Sequence, residues 1–222
     1  MQVRGPAVHP GDAALRPHHL QRLCGGAPAA ERLRRFVILV MVIILLTYIY
    51  KYYGEVTIVT ASDGQRYVVR KLPDSQRAAE ILAALNAKLT RLVRHMVASY
   101  PNDRSVEFLY ANYNPAALSE GGTEVGYTSY AVNKGEKIVV CLRQKAGNGQ
   151  KEDAFVDENV LTYVAIHELA HLMTEIVGHT TDFWDNFRRL AREAIAIGVY
   201  ERIDFEAAPE PYCGIIISSS VV

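Results

Sequence analysis

Two histidines four positions apart, His167 and His171, lie in an apolar stretch of this 222-residue chain. On an α-helix, residues at this spacing share one face, so both imidazoles can bind a single metal ion. Glu168 projects beside that face, where it can hold a metal-activated water molecule and accept its proton. Because two imidazoles and a carboxylate are costly to bury without a metal, the H-E-x-x-H spacing predicts a Zn²⁺ site with Glu168 as general base.

A catalytic zinc ion needs a third protein ligand, since such sites take three and keep one position open. His179 is the preferred candidate, because Gly178 lets the chain reverse and return this side chain to the metal. Glu193 is the alternative and would give a site with two histidines and one glutamate. Glu175 lies too far along the same helix to converge comfortably. His179 and Glu193 therefore both stay open as the third ligand.

The strands that would support this site are predicted from alternating apolar residues and from two turns. Asp63-Gly64 and Asn133-Lys134-Gly135 suit tight turns, because these residue types tolerate positive φ. The predicted strands are 55–61 paired with 65–71, 127–132 paired with 137–143, and 105–113, and the predicted loops or irregular segments are 114–125, 147–153 and the residues from 207 onward.

Apolar residues at spacings of three and four predict three helices in the same part of the chain. The first starts at 73–75 and ends before Pro101, the second runs from Asp157 to about Val177 with Gly178 as its cap, and the third begins near 180–181. Trp184 and Phe187 are expected to pack the third helix against the second. Segregated strands and helices predict an α+β domain over 55–222.

An uncharged apolar run from Phe36 to Tyr50 predicts a membrane-spanning helix. Lys51 can snorkel, so the span is expected over 36–53, about 27 Å at about 1.5 Å per residue. Arginines precede the run and tyrosines follow it, which is typical of membrane flanks. The lipid bilayer is therefore an expected partner of this segment.

Residues 1–35 are predicted to form a disordered basic tail, because they carry six arginines against Asp12 and Glu31. This charge bias predicts a single-pass protein with a cytosolic N-terminus and with its domain across the membrane. A mitochondrial presequence is the alternative, since the tail is rich in arginine and poor in acidic residues.

The whole chain has 24 basic and 24 acidic residues, so it lacks the basic field of a dedicated nucleic-acid binder. We therefore expect no nucleic-acid partner. Three cysteines do not make a disulfide framework, although Cys141 and Cys213 can pair if the domain faces an oxidising space.

The H-E-x-x-H string, Gly178-His179 and the following Phe183-Trp184 together resemble the zincins of the WLM and SprT-like groups. The resemblance is closer to the WLM-type metallopeptidases of large DNA viruses, and it is carried by the run YAVNKGEKIVVCLR…HELAHLMTEIVGHTTDFWDNF within about residues 105–215. The spacing to the third histidine is longer than in metzincins. Thr180 stands where SprT-like relatives usually have glycine.

This resemblance implies a zincin-like catalytic domain, with a small mixed or antiparallel sheet and a pair of active-site helices. It implies zinc bound by His167, His171 and His179, and hydrolysis of peptide bonds in a protein or peptide substrate with Glu168 as general base. Zincins generally add the substrate to an exposed strand edge, for which the 127–143 hairpin is the best candidate.

Two tyrosines, Tyr212 and Tyr130, are candidates for a helper at the oxyanion, although packing or surface roles are the simpler interpretation of both. The viral resemblance adds a virion or host membrane as the expected location. The alternative function is a catalytically silent zincin-fold protein with a structural or interaction role in a membrane or virion. SprT-like degradation of DNA-crosslinked proteins is disfavoured by the acidic domain and the anchor.

Overall fold

The computed structural model describes residues 29–121, 128–145 and 153–222, without the side chains of 51–53. Residues 1–28 of the predicted tail, 122–125 of the first predicted loop and 147–152 of the second lie outside these residues. Residues 29–35, which were predicted to belong to the disordered tail, are helical instead. The chain divides into two compact units between Tyr48 and Ile49.

Helix α1, Ala29–Gly54, contains the predicted membrane span. In the first unit its apolar side chains are exposed, and Arg35 pairs with Glu31 one turn away. Among the described helices, it alone has the length and apolar composition needed to cross a membrane.

The second unit begins with the predicted hairpin, in which β1, Val56–Thr60, pairs antiparallel with β2, Arg66–Arg70. Helix α2, Ser75–Ser99, follows and buries one apolar stripe, as its spacing predicted. Asp74 precedes this helix without capping it, because its carboxylate pairs with Arg143 instead.

The prediction of a strand over 105–113 is wrong, because this segment forms helix α3, Arg104–Asn112. The carboxylate of Asp103 accepts hydrogen bonds from the backbone N–H groups of Ser105 and Val106 and so caps the helix. Val106 and Leu109 are buried at a spacing of three, which an alternating strand interpretation overlooks.

A three-stranded sheet has the order β3-β5-β4, with β3 Leu118–Glu120, β4 Tyr130–Val132 and β5 Lys137–Val140. The β4–β5 hairpin confirms the prediction within its described residues. Strand β3, which pairs parallel with β5, lies in a predicted loop and was missed. A Cβ at Gly135 would lie 2.0 Å from the carbonyl oxygen of Asn112, so this turn requires glycine.

Two helices hold the candidate metal ligands: α4, Glu158–Met173, and α5, Thr181–Ala196. Helix α4 ends four residues before the predicted Val177, and Gly178 belongs to the α4–α5 loop rather than to a helix cap. Side chains from other segments contact the backbone carbonyl oxygens at the end of this helix. The Asn112 amide donates a hydrogen bond to the carbonyl oxygen of Leu172, and the Lys134 amine contacts the carbonyl oxygens of His171 and Thr174. These contacts end the helix early.

The segment from 207 onward, predicted to be irregular, includes a hairpin of β6, Glu210–Tyr212, and β7, Ile215–Ile217. A disulfide joins Cys141, just after β5, to Cys213 in the hairpin turn. The second unit is therefore a mixed α/β fold with small sheets, in which the largely buried α4 lies between α3, α5 and the three-stranded sheet.

Candidate metal centre

Three imidazoles converge where α4 and the start of α5 meet. His167 and His171 lie one turn apart on α4, and His179 lies just before the Thr180 cap of α5. One ring nitrogen from each histidine lies within 4.8 Å of the other two, and the Nε2 atoms of His167 and His179 are 3.2 Å apart. The fold thus brings together two residues adjacent on a helix and a third that follows a loop.

The ring of Phe183 packs against all three imidazoles. Its ring is fully buried, and its centroid lies 4.9, 4.3 and 4.7 Å from those of His167, His171 and His179. The Thr180 hydroxyl accepts a hydrogen bond from the Phe183 backbone N–H, which couples the start of α5 to this packing. The ring orientations are therefore set by an apolar residue that binds no metal itself.

Burial keeps the two helical imidazoles neutral at pH 7. It lowers the pKa of His167 to about 3 and that of His171 to about 4, with further lowering from the neighbouring histidines. A neutral imidazole has a free lone pair, which metal binding requires. The three ring nitrogens converge at a spacing that fits a zinc ion, so His167, His171 and His179 are suited to hold one.

Glu168 lies beside the triad with 4% of its surface exposed. Burial raises the pKa of its carboxyl group to about 7, and a hydrogen bond from the Ala131 backbone N–H opposes that rise. The group is therefore balanced between its proton-accepting and proton-carrying forms near neutral pH, as a general base requires.

The two tyrosines differ in burial. Tyr212 is 1% exposed, and its hydroxyl lies 2.6 Å from Ser129 Oγ, which also accepts the Cys141 backbone N–H. Burial raises the pKa of Tyr212, so its hydroxyl keeps its proton at neutral pH. Tyr130 lies on β4 and is 38% exposed. Both side chains line the cavity at the histidines.

Glu193 lies in another network, away from the triad. Its carboxylate is 2.6 Å from Nε2 of His95 and accepts the hydroxyl of Tyr100. Glu175 pairs with Arg104 at 3.1 Å. His95 thus pairs with the residue that the sequence left open as a ligand.

Sequence reasoning missed the contacts that hold the α4–α5 loop. The Lys134 amine contacts the carbonyl oxygens of His171 and Thr174, while Asn186 donates to the Thr174 hydroxyl at 3.0 Å. Lys134 follows Asn133 at positive φ in the β4–β5 turn. The Asn-Lys-Gly turn was visible in the sequence, but its packing on α4 was not.

A cavity of about 880 Å³ opens at the triad. Its lining comes from β4, α4, the start of α5 and the segment from β7 onward. Trp184, expected to pack helix against helix, is 39% exposed and lines this cavity beside His179, whereas Phe187 is buried against Tyr163 as expected.

Comparison with known proteins identifies the family. Residues 62–206 match the model of the WLM domain, so the chain belongs to the WLM domain family. An uncharacterized protein of Acanthamoeba polyphaga mimivirus is 31% identical over 160 residues, covering 70% of this chain and 79% of that protein. An uncharacterized protein of Invertebrate iridescent virus 6 is 24% identical over 137 residues, covering 62% and 74%. The predicted WLM and viral resemblance is confirmed.

Two solved structures are also similar. Wss1 from Saccharomyces cerevisiae matches with a TM-score of 0.45 and 18% identity, over 59% of this chain and 87% of that one. A Wss1 mutant from S. pombe matches with a TM-score of 0.36 and 23% identity, over 56% and 91%.

Proposed function

We propose that this protein is a zinc-dependent metallopeptidase of the zincin type. The observation that supports this most directly is the convergence of three imidazoles next to a buried glutamate, all of them lining a cavity of about 880 Å³. Membership in the WLM family supports a protease at the level of class and implies protein substrates. A zinc site that served only the fold would need no buried carboxylate beside it.

A zinc ion held by His167, His171 and His179 would act as a Lewis acid: it would lower the pKa of a water molecule and polarise the substrate carbonyl. Glu168 accepts the water proton and then passes it to the leaving amine. The Ala131 backbone N–H holds the Glu168 carboxylate in place during these transfers. A pKa near neutrality suits both directions of transfer, because the group neither holds nor releases the proton too strongly.

Tyr212 is the better placed of the two candidate oxyanion helpers. Its hydroxyl is protonated and lines the cavity, and the nearby charge of Glu168 helps to raise its pKa. Ser129 holds the phenol oxygen at 2.6 Å, so the donor is preorganised. Tyr130 lines the same cavity from β4, where its partly exposed ring is suited to contact a peptide instead.

Strand β4 is the expected docking edge for the substrate backbone. It pairs with β5 on one side, and within the described residues the sheet order β3-β5-β4 leaves its other side without a strand. Ala131 on this strand points its N–H toward Glu168. A peptide added along β4 would therefore pass directly over the catalytic glutamate.

Helix α1 is proposed to anchor the peptidase in a lipid bilayer through residues 36–53. The Cys141–Cys213 disulfide supports an oxidising location for the domain, in keeping with a cytosolic N-terminus. The viral relatives favour a virion or host membrane over the mitochondrial alternative.

The test is proteolysis of an unfolded protein such as reduced casein by the full chain in detergent micelles, supplied with zinc. We expect cleavage that a chelator abolishes and added zinc restores. Glu168→Gln should bind zinc and lose at least about 99% of the cleavage activity, while the matched Glu175→Gln variant should cleave as the wild type does. A zinc-loaded chain that cleaves no protein would identify the catalytically silent alternative.

A further inference from the structure

The cavity at the triad continues along α4 toward the start of that helix. Tyr163 and Val164 lie one turn before His167 and Glu168 and line the cavity. The Phe187 ring lies 5.2 Å from the His167 ring and 5.1 Å from the Tyr163 ring. This part of the cavity thus has an aromatic wall that begins at the metal ligands.

The opposite wall is an extended segment from β7 onward. Alternate side chains of this segment line the cavity, namely Ile215, Ile217, Ser219 and Val221. Ile216 is not among the lining residues and is 46% exposed. One face of the segment therefore belongs to the cavity, as the two-residue period of an extended chain requires.

Both ends of this wall are held. Before β7, the disulfide joins Cys213 to Cys141 beside β5. After β7, the Ser220 hydroxyl donates to the carbonyl of Ile203 at 2.8 Å and accepts the backbone N–H of Phe205 at 2.9 Å. Because the segment is attached at both ends, it forms a fixed wall of the cavity and does not have to be displaced before a substrate binds.

The chemistry of this region is apolar. Tyr163, Val164, Phe187, Ile215, Ile217 and Val221 carry no charge. The Tyr163 hydroxyl is 3.4 Å from the carbonyl oxygen of Ser219, and its pKa is raised to about 12 by burial, so it stays neutral. The charged lining residues Glu168 and Lys134 belong to the part of the cavity at the histidines. A charged side chain that enters the apolar part would lose hydration that apolar groups cannot replace.

We propose that this apolar pocket, formed by α4, α5 and the β7 segment, selects substrates with a large apolar side chain next to the scissile bond. This inference rests on the proposed peptidase function and adds a substrate class to it. Burial of one large apolar side chain favours such a substrate over a serine counterpart by roughly 10- to 100-fold.

The first measurement identifies cleavage sites. The full zinc-loaded chain in detergent digests an unfolded protein, and mass spectrometry locates the cut bonds. We expect phenylalanine, leucine, methionine or tyrosine to be enriched at one fixed position beside the bond. Peptides that differ only there should then show a phenylalanine-to-serine ratio of kcat/KM of at least about 10.

A matched pair of variants assigns the preference to the wall. Ile217→Asp places a carboxylate on the cavity face and should reduce the phenylalanine-to-serine ratio by about 10-fold or more. Ile216→Asp makes the same change on the opposite face and should leave the ratio unchanged. Because a ratio compares two substrates of one preparation, partial unfolding of either variant does not change it.

Binding can be measured without turnover, because Trp184 is the single tryptophan of the chain and lines the cavity. In the zinc-loaded Glu168→Gln variant, N-acetyl-phenylalanine amide should alter tryptophan fluorescence at roughly 10-fold lower concentration than N-acetyl-serine amide. The additional Ile217→Asp change should remove that difference.

The outcomes separate the two proposals. If no protein is cleaved, the peptidase function itself is wrong. If proteins are cleaved without an apolar preference, or if Ile216→Asp lowers the ratio as much as Ile217→Asp, the pocket proposal is overturned and the peptidase remains.

Discussion

Two groups of ionisable side chains in the second unit contain buried members, and they are built on opposite principles. The first is the Arg143 cluster, formed by Arg143, Glu120 and Asp74. Arg143 is 3% exposed, and its guanidinium lies 2.8 Å from each of the two carboxylates. The second Glu120 oxygen accepts the Arg70 backbone N–H at 2.6 Å. Each charge in this cluster therefore has a partner.

The candidate metal centre, formed by the three histidines and Glu168, lacks such pairing. Burial lowers the pKa values of His167 and His171 and raises that of Glu168, so the neutral forms of these three side chains are favoured. In the Arg143 cluster, burial also disfavours the charged guanidinium, but the carboxylates outweigh it and raise the pKa of Arg143. The pKa of Asp74 is held low by its hydrogen bond to Arg143.

The comparison shows which buried polar groups are available for chemistry. Opposite charges that satisfy one another hold elements together, and here they connect β3, the end of β5 and the start of α2. The neutral imidazoles of His167 and His171 and a carboxyl group with a pKa near 7 instead keep lone pairs available for a metal and a proton. Substitution of the two buried glutamates should therefore have opposite effects: a change at Glu168 should reduce activity, and a change at Glu120 should reduce stability.

The largest effect is expected for Glu168→Gln, which removes the proposed general base. Peptidase activity should fall by about 10²- to 10⁴-fold, because proton transfer by a positioned group contributes that much. Zinc content and the denaturation midpoint should stay close to wild type, since no charged partner loses its ion pair. Loss of folding in this variant would contradict the distinction between the two clusters.

Glu120→Gln should have the reverse pattern. It removes one partner of a buried ion pair, so the free energy of unfolding should fall by about 3–5 kcal/mol. Urea unfolding followed by circular dichroism measures this change. The specific activity of the folded fraction should remain near wild type, and a selective loss of activity would show that this cluster acts in the metal centre.

The Cys141–Cys213 disulfide connects the two regions, since Cys141 lies two residues from Arg143 and Cys213 follows Tyr212. Cys213→Ser should lower the free energy of unfolding by about 2–4 kcal/mol, because the bond closes a long loop in the unfolded chain. A reductant should destabilise the wild type by a similar amount and leave the variant unchanged. An equal response of both proteins would argue against the bond.

A smaller effect is expected from acid. Because the folded-state pKa of Asp74 is depressed, its contribution to stability is present above its usual pKa and is lost as the pH falls below it. Asp74 is 44% exposed, so this contribution should be under about 1 kcal/mol. The stability difference between wild type and Asp74→Asn should therefore begin to shrink below about pH 4 and vanish once the pH is below the depressed folded-state pKa. A difference that persists at pH 2 would point to a role for Asp74 other than its ion pair.

The smallest effect is expected for Glu175→Gln. Its carboxylate pairs with Arg104 at the surface, where both side chains are more than half exposed. Stability should change by less than about 0.5 kcal/mol, and zinc affinity measured by competition with a chelator should be unchanged. A weakened zinc affinity would show that this loop residue contributes to metal binding.

The sequence predicts most of the local secondary structure correctly. The β1–β2 and β4–β5 hairpins and the α2 and α5 helices follow from turn residues and apolar spacing, which act between neighbours. Helix α3 was misread as a strand, because the Asp103 cap and the burial of Val106 and Leu109 outweighed the β-like composition. Helix α4 was predicted too long, because the donors that end it come from distant segments.

For the metal centre, the sequence by itself determined that His167, Glu168 and His171 lie together, because a helix sets those distances locally. Only the tertiary structure decided that His179 approaches the other imidazoles while Glu193 pairs with His95 and Tyr100. It also brought Tyr212 and the β7 segment to the cavity. Such positions depend on loop paths and on packing between elements remote in the chain, which no local spacing encodes.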